Sequence, residues 1–452
     1  DSGNYAVAIS VALWFDIIAN WGLDALIIRD GAQNKGQIGR YLYNTTILRL
    51  FTMLLGLIPV LLFVGEAFIN GDGYPRNVLL ALGLIAVGMV FSGIGKGLTG
   101  VFYVFDAAEY PATLATVTTI LKVAFGVTVL LLGWGFIGLA AVSILTNIIT
   151  LSLLSLLAFR KFPIHGPYTL DRPLLKNAFR VGWPLMLNHL LATVFFKIDQ
   201  PLLFRLGGDN AAQQVGWYNS AYKWVDALNI IPSFLTIALF PIISRQAKDN
   251  IADARRTFRM AVKLLVLVAL PLAATITLLA NIMIGTLGGS EFLPHGAIAL
   301  RIVIWSIPIG WINSVTNYTI ISLGLEKRLT GGFIVGVLFN TIGNILLIPR
   351  FGYVAAGFTT IASELILLIM FNYYLTQKMP EINWLQLLWR PVVITGFMLG
   401  GLWVGASVNL WLGLFIGMTL YLGGIWLLGI FGDEERNILN QILPTRLQFM
   451  TR

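Results

Sequence analysis

The chain has 452 residues, of which 57% are hydrophobic and 11% charged; a soluble domain carries roughly 25% charged residues, so this surface meets a bilayer rather than water. The formal net charge is +9, but the basic residues sit in short loops between apolar runs, which points to positive cytoplasmic loops and away from nucleic acid. There is no cysteine, which excludes a disulfide framework and a thiolate nucleophile, and the three histidines (His165, His189, His295) lack ligand spacing, which argues against a metal site.

A spanning helix needs about 20 mostly apolar residues. Such runs predict thirteen spans, at 4–28, 41–64, 77–104, 111–132, 135–158, 178–204, 216–243, 262–287, 296–322, 330–348, 352–375, 391–407 and 410–430. The third is glycine-rich (Gly93, Gly95, Gly97, Gly100) and is expected to bend or break there. Alternate loops carry 21 lysines and arginines and the opposite loops 3, namely Arg76, Arg205 and Arg350. The positive-inside rule then places residue 1 outside and the C-terminus in the cytoplasm. Segments 161–177 and 377–390 are read as interfacial connectors, and 432–452 as a cytoplasmic tail on the inner surface.

The chain repeats itself. Gly3-Asn4-Tyr5 with Ala8, and Gly216-Trp217-Tyr218 with Ala221, open the first and seventh spans. Gly135-Phe136-Ile137-Gly138 matches Gly352-Tyr353-Val354-Ala355, and Pro59 matches Pro271. The offsets of 213, 217 and 212 residues each equal six spans, which indicates a duplicated six-helix unit in parallel orientation. In this register the span 178–204 lacks a counterpart. The chain begins with Asp1, so one further span is expected before it, for fourteen in all.

Eleven ionisable residues fall inside predicted spans: Arg49, Lys96, Lys122, Lys197, Lys223 and Arg301, against Asp16, Asp24, Asp199, Asp226 and Glu364. Each costs about 2.5–3.5 kcal/mol at a helix centre on insertion scales, so these groups pair with one another or face a wet cavity. Lys223 and Asp226, three apart, share a helix face; Lys197 and Asp199 do not. A cavity of cations fits a polyprenyl-diphosphate-linked sugar, whose diphosphate and glycan cannot enter hydrocarbon unaided. Arg49, Lys197 and Lys223 are the preferred substrate-binding candidates, with Lys122 and Arg301 beside them. Asp16 and Asp24 are candidates for releasing those cations or titrating with a coupling ion, proton or sodium.

Three stretches then carry a resemblance. Lys197-Ile198-Asp199-Gln200, Val215 to Ala221, and Phe240-Pro241-Ile242-Ile243-Ser244-Arg245 resemble the polysaccharide-transporter, or O-antigen flippase, family. Asn344 to Gly352 with Ala355-Ala356-Gly357 is similar to the family's eleventh-to-twelfth helix junction, and Tyr5 to Arg29 to its second helix. The family's usual Asp before Gly-Leu is replaced by Asn20-Trp21, with Asp24 following.

The resemblance implies an all-α polytopic membrane protein of the multidrug, oligosaccharidyl-lipid and polysaccharide exporter superfamily, working by alternating access between two six-helix lobes. Its lobes would be 1–160 (helices two to six) and 178–376 (helices seven to twelve), followed by an extra helix pair at 391–431. It adds Arg29, Asp199, Asp226, Arg245 and Glu364 to Asp16 and Asp24 as coupling or gating candidates. The expected protein is a flippase of the cytoplasmic membrane, not an enzyme, a functional monomer without cofactor, whose partners are a lipid-linked glycan and the bilayer. The alternatives are an ion-coupled multidrug antiporter, and a membrane glycosyltransferase or polymerase; the outer segment 65–76, with Glu66 and Asp72, is short for the latter.

Overall fold

The structure is a computed structural model that describes residues 15–24, 27–28, 31, 34–69, 76–105, 107–164, 168–380 and 382–429. Among them there are helices and turns and no strand, as an all-α membrane protein requires. After helical residues 15–20 come α1 (Ile38–Ile69), α2 (Arg76–Val104), α3 (Glu109–Leu131), α4 (Gly135–Lys161), α5 (Arg172–Lys197), α6 (Asp199–Leu206) and α7 (Ala211–Leu228). Then follow α8 (Ile230–Asp249), α9 (Ile251–Gly288), α10 (His295–Val303), α11 (Ser306–Ser322), α12 (Glu326–Thr376), α13 (Trp384–Ala406) and α14 (Leu410–Leu427). The chain divides into two compact units, 1–216 and 217–452.

Nine stretches among the described residues are long and apolar enough to cross a membrane. One of them, Lys327–Thr376, holds two predicted spans, joined where Gly352 takes φ 57° and ψ −138°, backbone that only glycine adopts without strain. The run 4–28 and the tail 432–452 lie largely or wholly outside the described residues. Three predicted spans need correction. The run 178–204 is α5 and α6, separated at Ile198, 216–243 is α7 and α8, separated at Asn229, and 296–322 is α10 and α11, separated at Ile304 and Trp305.

Proline accounts for these breaks. A proline has no N–H for the carbonyl four residues back, so it fits the first turn of a helix at no loss and costs a hydrogen bond in the interior. Pro201, Pro232 and Pro308 are each the third residue of α6, α8 and α11. Each break falls at or just after the carbonyl that its proline orphans: Lys197, Leu228 and Ile304. Ile304 O is instead reached by Ile307 N at 3.1 Å.

Pro271 behaves differently. It sits inside the unbroken α9, and the carbonyl it frees, Leu267 O, accepts a hydrogen bond from Tyr421 Oη of α14. Tyr421 and Leu267 belong to a buried cluster with Ile394, Met398 and Leu402, which seats the helix pair α13–α14 on α9. The pair itself closes on glycine: a Cβ at Gly405 would lie 2.5 Å from Gly413 Cα, the close approach that small residues permit between membrane helices.

The glycines of α2 do not break it, contrary to expectation; α2 is continuous from Arg76 to Val104. They are packing sites instead. A Cβ at Gly93 would lie 2.4 Å from Met53 Cε, and one at Gly100 3.1 Å from Ile27 Cγ2. The bare surface of α2 lets α1 and the opening segment come near enough to place the charges described below.

The connector before α5 is tied down. Arg40 of α1 donates through Nε to Asp171 Oδ2 at 2.8 Å, and Asn44 receives Asp171 N at 2.8 Å while donating to Thr169 O at 3.1 Å. Asp171 also caps α5 by accepting from Leu174 N at 3.0 Å. The Arg40 hydrogen bond, helped by that from Leu174, holds the Asp171 carboxyl below the usual carboxylate range.

Candidate functional site

In the first unit, the charges of the opening segment are met by α1 and α2. Arg49 is 1% exposed; its NH1 donates to Gly93 O at 2.7 Å and its NH2 to Asp24 Oδ1 at 2.8 Å. Asp24 stays 32% exposed, and its other oxygen accepts from Asn20 Nδ2 at 2.8 Å. Lys96 Nζ lies 2.6 Å from Asp16 Oδ2, with the two side chains 36% and 18% exposed. Thr52 Oγ1 donates to Ala19 O at 2.5 Å, fixing the segment against α1. Asn20 Oδ1 is buried without a partner.

Asp16, Asn20 and Asp24 recur every four residues, a helical face, but the segment turns at Trp21 (φ 48°) and Gly22 (φ 69°). Trp21 is held in that conformation from α5. Its Nε1 donates to Phe179 O at 3.0 Å, its ring stacks on Phe179 at 4.4 Å, and a Cβ at Gly182 would lie 2.2 Å from Trp21 O. The Asn20-Trp21 departure from the family pattern thus has a structural role: Asn20 orients Asp24, and Trp21 hooks the segment to α5.

The remaining candidates are dispersed. Lys122 is exposed on α3, which packs on α4 and α2. Lys197 ends α5 half-exposed, and Asp199 opens α6 fully buried. In α7, Lys223 and Asp226 are exposed, as is Arg245 of α8. Arg301 of α10 is half-buried and donates through Nε to Thr277 O at 3.3 Å. Arg29 lies outside the described residues. Glu364 of α12 is 4% exposed and accepts from Asn313 Nδ2 of α11 at 2.6 Å.

The structure therefore pairs Arg49 with Asp24 and joins Asp16 to Lys96, a residue the sequence reading counted among intramembrane charges but left out of its binding set. The signal was present in Gly93, Gly95 and Gly97 around Lys96, which clear space for a charge on an otherwise apolar helix. Asn20 stands out in the sequence only as a departure from the family pattern and Asn313 not at all, so neither carboxylate contact was foreseen. Chemically, the first unit offers a sealed cation (Arg49) and two pairs with one reachable partner each (Asp24, Lys96).

A family model described as polysaccharide biosynthesis protein matches residues 1–247, and a second, MatE, matches residues 184–346. A curated relative, an uncharacterized membrane protein of Methanocaldococcus jannaschii, is 27% identical over 272 residues. That alignment covers 59% of this chain and 53% of the relative, so the chain spans about half the relative's length. Among solved structures, the lipid II flippase MurJ in an inward closed conformation aligns with a TM-score of 0.74 at 13% identity, covering 94% of this chain and 92% of that one. An inward-facing multidrug resistance MATE family transporter of the MOP superfamily aligns with a TM-score of 0.69 at 17% identity, covering 83% and 91%. A MOP superfamily transporter from Pyrococcus furiosus aligns with a TM-score of 0.57 at 15% identity, covering 83% and 86%. At these identities the likeness is one of fold.

Proposed function

The chain belongs to the polysaccharide biosynthesis protein family within the MOP superfamily, and from that premise we propose that it flips a polyprenyl-diphosphate-linked oligosaccharide across the cytoplasmic membrane by alternating access. The observation that carries this reading is the asymmetry of the intramembrane pairs. Arg49 is sealed at 1% exposure, whereas Lys96 keeps 36% while paired with Asp16. A cation that is neutralised at rest and still reachable can exchange its carboxylate for a diphosphate, an anion that binds by charge-assisted hydrogen bonds. Arg49 then braces Asp24 and α2 instead of touching substrate.

Lys122, Lys197, Lys223 and Arg301 complete the proposed cationic path, and Asp16 is the competitor that releases Lys96. Residue 1 lies outside and the C-terminus inside, the lobes follow the division 1–160 and 178–376, the protein works as a monomer, and it performs no covalent chemistry. Glycan export in cells lacking their own flippase tests this. Wild type should restore export and Lys96→Ala should reduce it at matched expression; equal export by both would remove Lys96 from the path.

The second reading, an ion-coupled multidrug antiporter, draws on the MatE match over 184–346. It predicts lowered accumulation of cationic drugs in expressing cells without restored glycan export. The wider polysaccharide match over 1–247 and the reachable lysine favour the first reading.

A further inference from the structure

The second unit gathers positive charge at one end. Residues 245–263 and 378–390 hold eight lysines and arginines against three acids, Asp249, Asp253 and Glu381. The positive-inside rule asks for such an excess on the cytoplasmic side, but it asks for a count and not for an arrangement. Here there is an arrangement. In α9, Arg255, Arg259 and Lys263 recur every four residues, so their side chains project from one face. Arg259 is exposed, and no acid among the described residues pairs with it. Asp253 is turned to the helix cap, where its Oδ2 accepts from Asn250 Nδ2 at 2.9 Å.

α13 borders that face. Arg255 Nη1 donates to Pro380 O at 2.8 Å, and the buried Phe258 meets the Trp384 ring edge-on at 6.3 Å. Nine residues further along α9 and ten along α13, Leu267 and Ile394 share a buried cluster. The two helices therefore run in the same direction at nearly one register, which puts Arg259 level with Leu385 and Lys263 level with Trp389. Leu385 and Trp389 are exposed, and Val392 continues their face along α13. The Arg390 guanidinium lies 5.4 Å from the Trp389 ring centre, and its Nη1 donates to Gly429 O at 3.2 Å, beyond the end of α14. Past this level both helices become apolar, from Leu264 and from Pro391, so the basic row lies where hydrocarbon gives way to headgroups.

Charge and apolar surface thus meet at one depth. A phosphodiester anion at this seam finds a guanidinium able to grip it through charge-assisted hydrogen bonds. The exposed leucine and tryptophan beside it suit the glycerol and the upper acyl carbons, since tryptophan favours the boundary between water and hydrocarbon. We propose that the α9–α13 seam binds an anionic glycerophospholipid of the adjoining leaflet, its phosphodiester held by Arg259 with Arg255 and Lys263 to either side, and its acyl chains lying along Leu385, Trp389 and Val392. Basic pockets between membrane helices recognise acidic headgroups in this way. The site holds a lipid of the surrounding bilayer and not a transported molecule, so it stands apart from the flippase reading.

Native mass spectrometry of the full chain in detergent, titrated with phosphatidylglycerol or with phosphatidylcholine of the same chains, measures the lipid retained. Phosphatidylglycerol should bind at least about fivefold tighter than phosphatidylcholine, and Arg259→Gln should weaken it about fivefold, the effect of one cation at the membrane surface. The same variant should leave phosphatidylcholine binding unchanged. Lys327→Gln, which removes an exposed cation at the start of α12, should alter neither lipid. Arg259 is exposed, so its replacement should keep the fold, which an unshifted unfolding midpoint checks. Equal affinity for the two lipids, or a loss in Arg259→Gln no larger than in Lys327→Gln, would overturn the proposal and leave the patch an orientation signal. Release of phosphatidylglycerol by inorganic phosphate at equal concentration would also overturn it, by assigning the row to free phosphate. None of these readouts uses transport, so failure here leaves the glycan reading as it stands.

Discussion

Replacing Tyr421 by phenylalanine tests the account of proline in this fold. Leu267 O is orphaned by Pro271 and served by the Tyr421 hydroxyl. A buried carbonyl left without a donor costs about 1–3 kcal/mol, while side-chain hydrogen bonds between membrane helices average ~0.6 and reach ~1.7 kcal/mol. The site is buried and Pro271 denies it any helix donor, so Tyr421→Phe should cost about 1–2 kcal/mol. Pro271→Ala returns an N–H to Leu267 O and makes the tyrosine redundant, so the same change in that background should cost less than about 0.5 kcal/mol. Unfolding in mixed micelles, followed by tryptophan fluorescence for the four members of the cycle, measures the difference. Equal costs in both backgrounds would refute the argument that the C-terminal helix pair caps the carbonyl Pro271 frees in α9.

Other outcomes follow from the same geometry. Arg49→Ala should lose about 3 kcal/mol of stability, the lower end for breaking a buried pair, because Asp24 retains solvent; Lys96→Ala should lose about 0–1 kcal/mol and act on transport instead. Thermal unfolding beside glycan export separates the two, and similar stability losses would contradict the division into brace and carrier. Gly352→Ala should destabilise by about 1–3 kcal/mol, since φ 57° with ψ −138° excludes a side chain; an unchanged unfolding midpoint would contradict it. The Asp171 carboxyl is held below its ordinary value by Arg40, so its cap is present above the unfolded value of roughly 3.9 and fades only as pH falls through the lower folded value. Amide exchange over 171–174 should keep its protection to lower pH in wild type than in Arg40→Ala, and identical profiles would contradict the latch.

Much of the architecture was legible because hydrocarbon imposes a simple length rule on apolar runs. The rule located α1 to α4, α12 and α14 within about five residues and began α13 seven residues late, and the duplicated motif at 352–355 marked the glycine turn within α12. It failed at 178–204, 216–243 and 296–322, where apolar content continues across the breaks before Pro201, Pro232 and Pro308; proline alone does not mark them, since Pro184 and Pro241 lie inside the continuous α5 and α8. It also shortened α9, whose basic first turns from Ile251 are polar and lie beyond the apolar run.

The charges were legible as anomalies and not as partners. Arg49 meets Asp24 across 25 residues, Lys96 meets Asp16 across 80, and Asn313 meets Glu364 across 51. No local spacing encodes such contacts, which arise when glycine-faced helices pack. The polar partners Asn20, half-buried, and Asn313, buried, carry no charge, so hydropathy gave no reason to single them out.

The most direct test of the central claim is transport of a defined polyprenyl-diphosphate sugar in liposomes holding the purified chain, with proton and sodium gradients imposed separately. The account predicts translocation that responds to one of the two imposed gradients and falls strongly in Lys96→Ala, whose fold should remain intact. Translocation no faster than in empty liposomes under either gradient would contradict it.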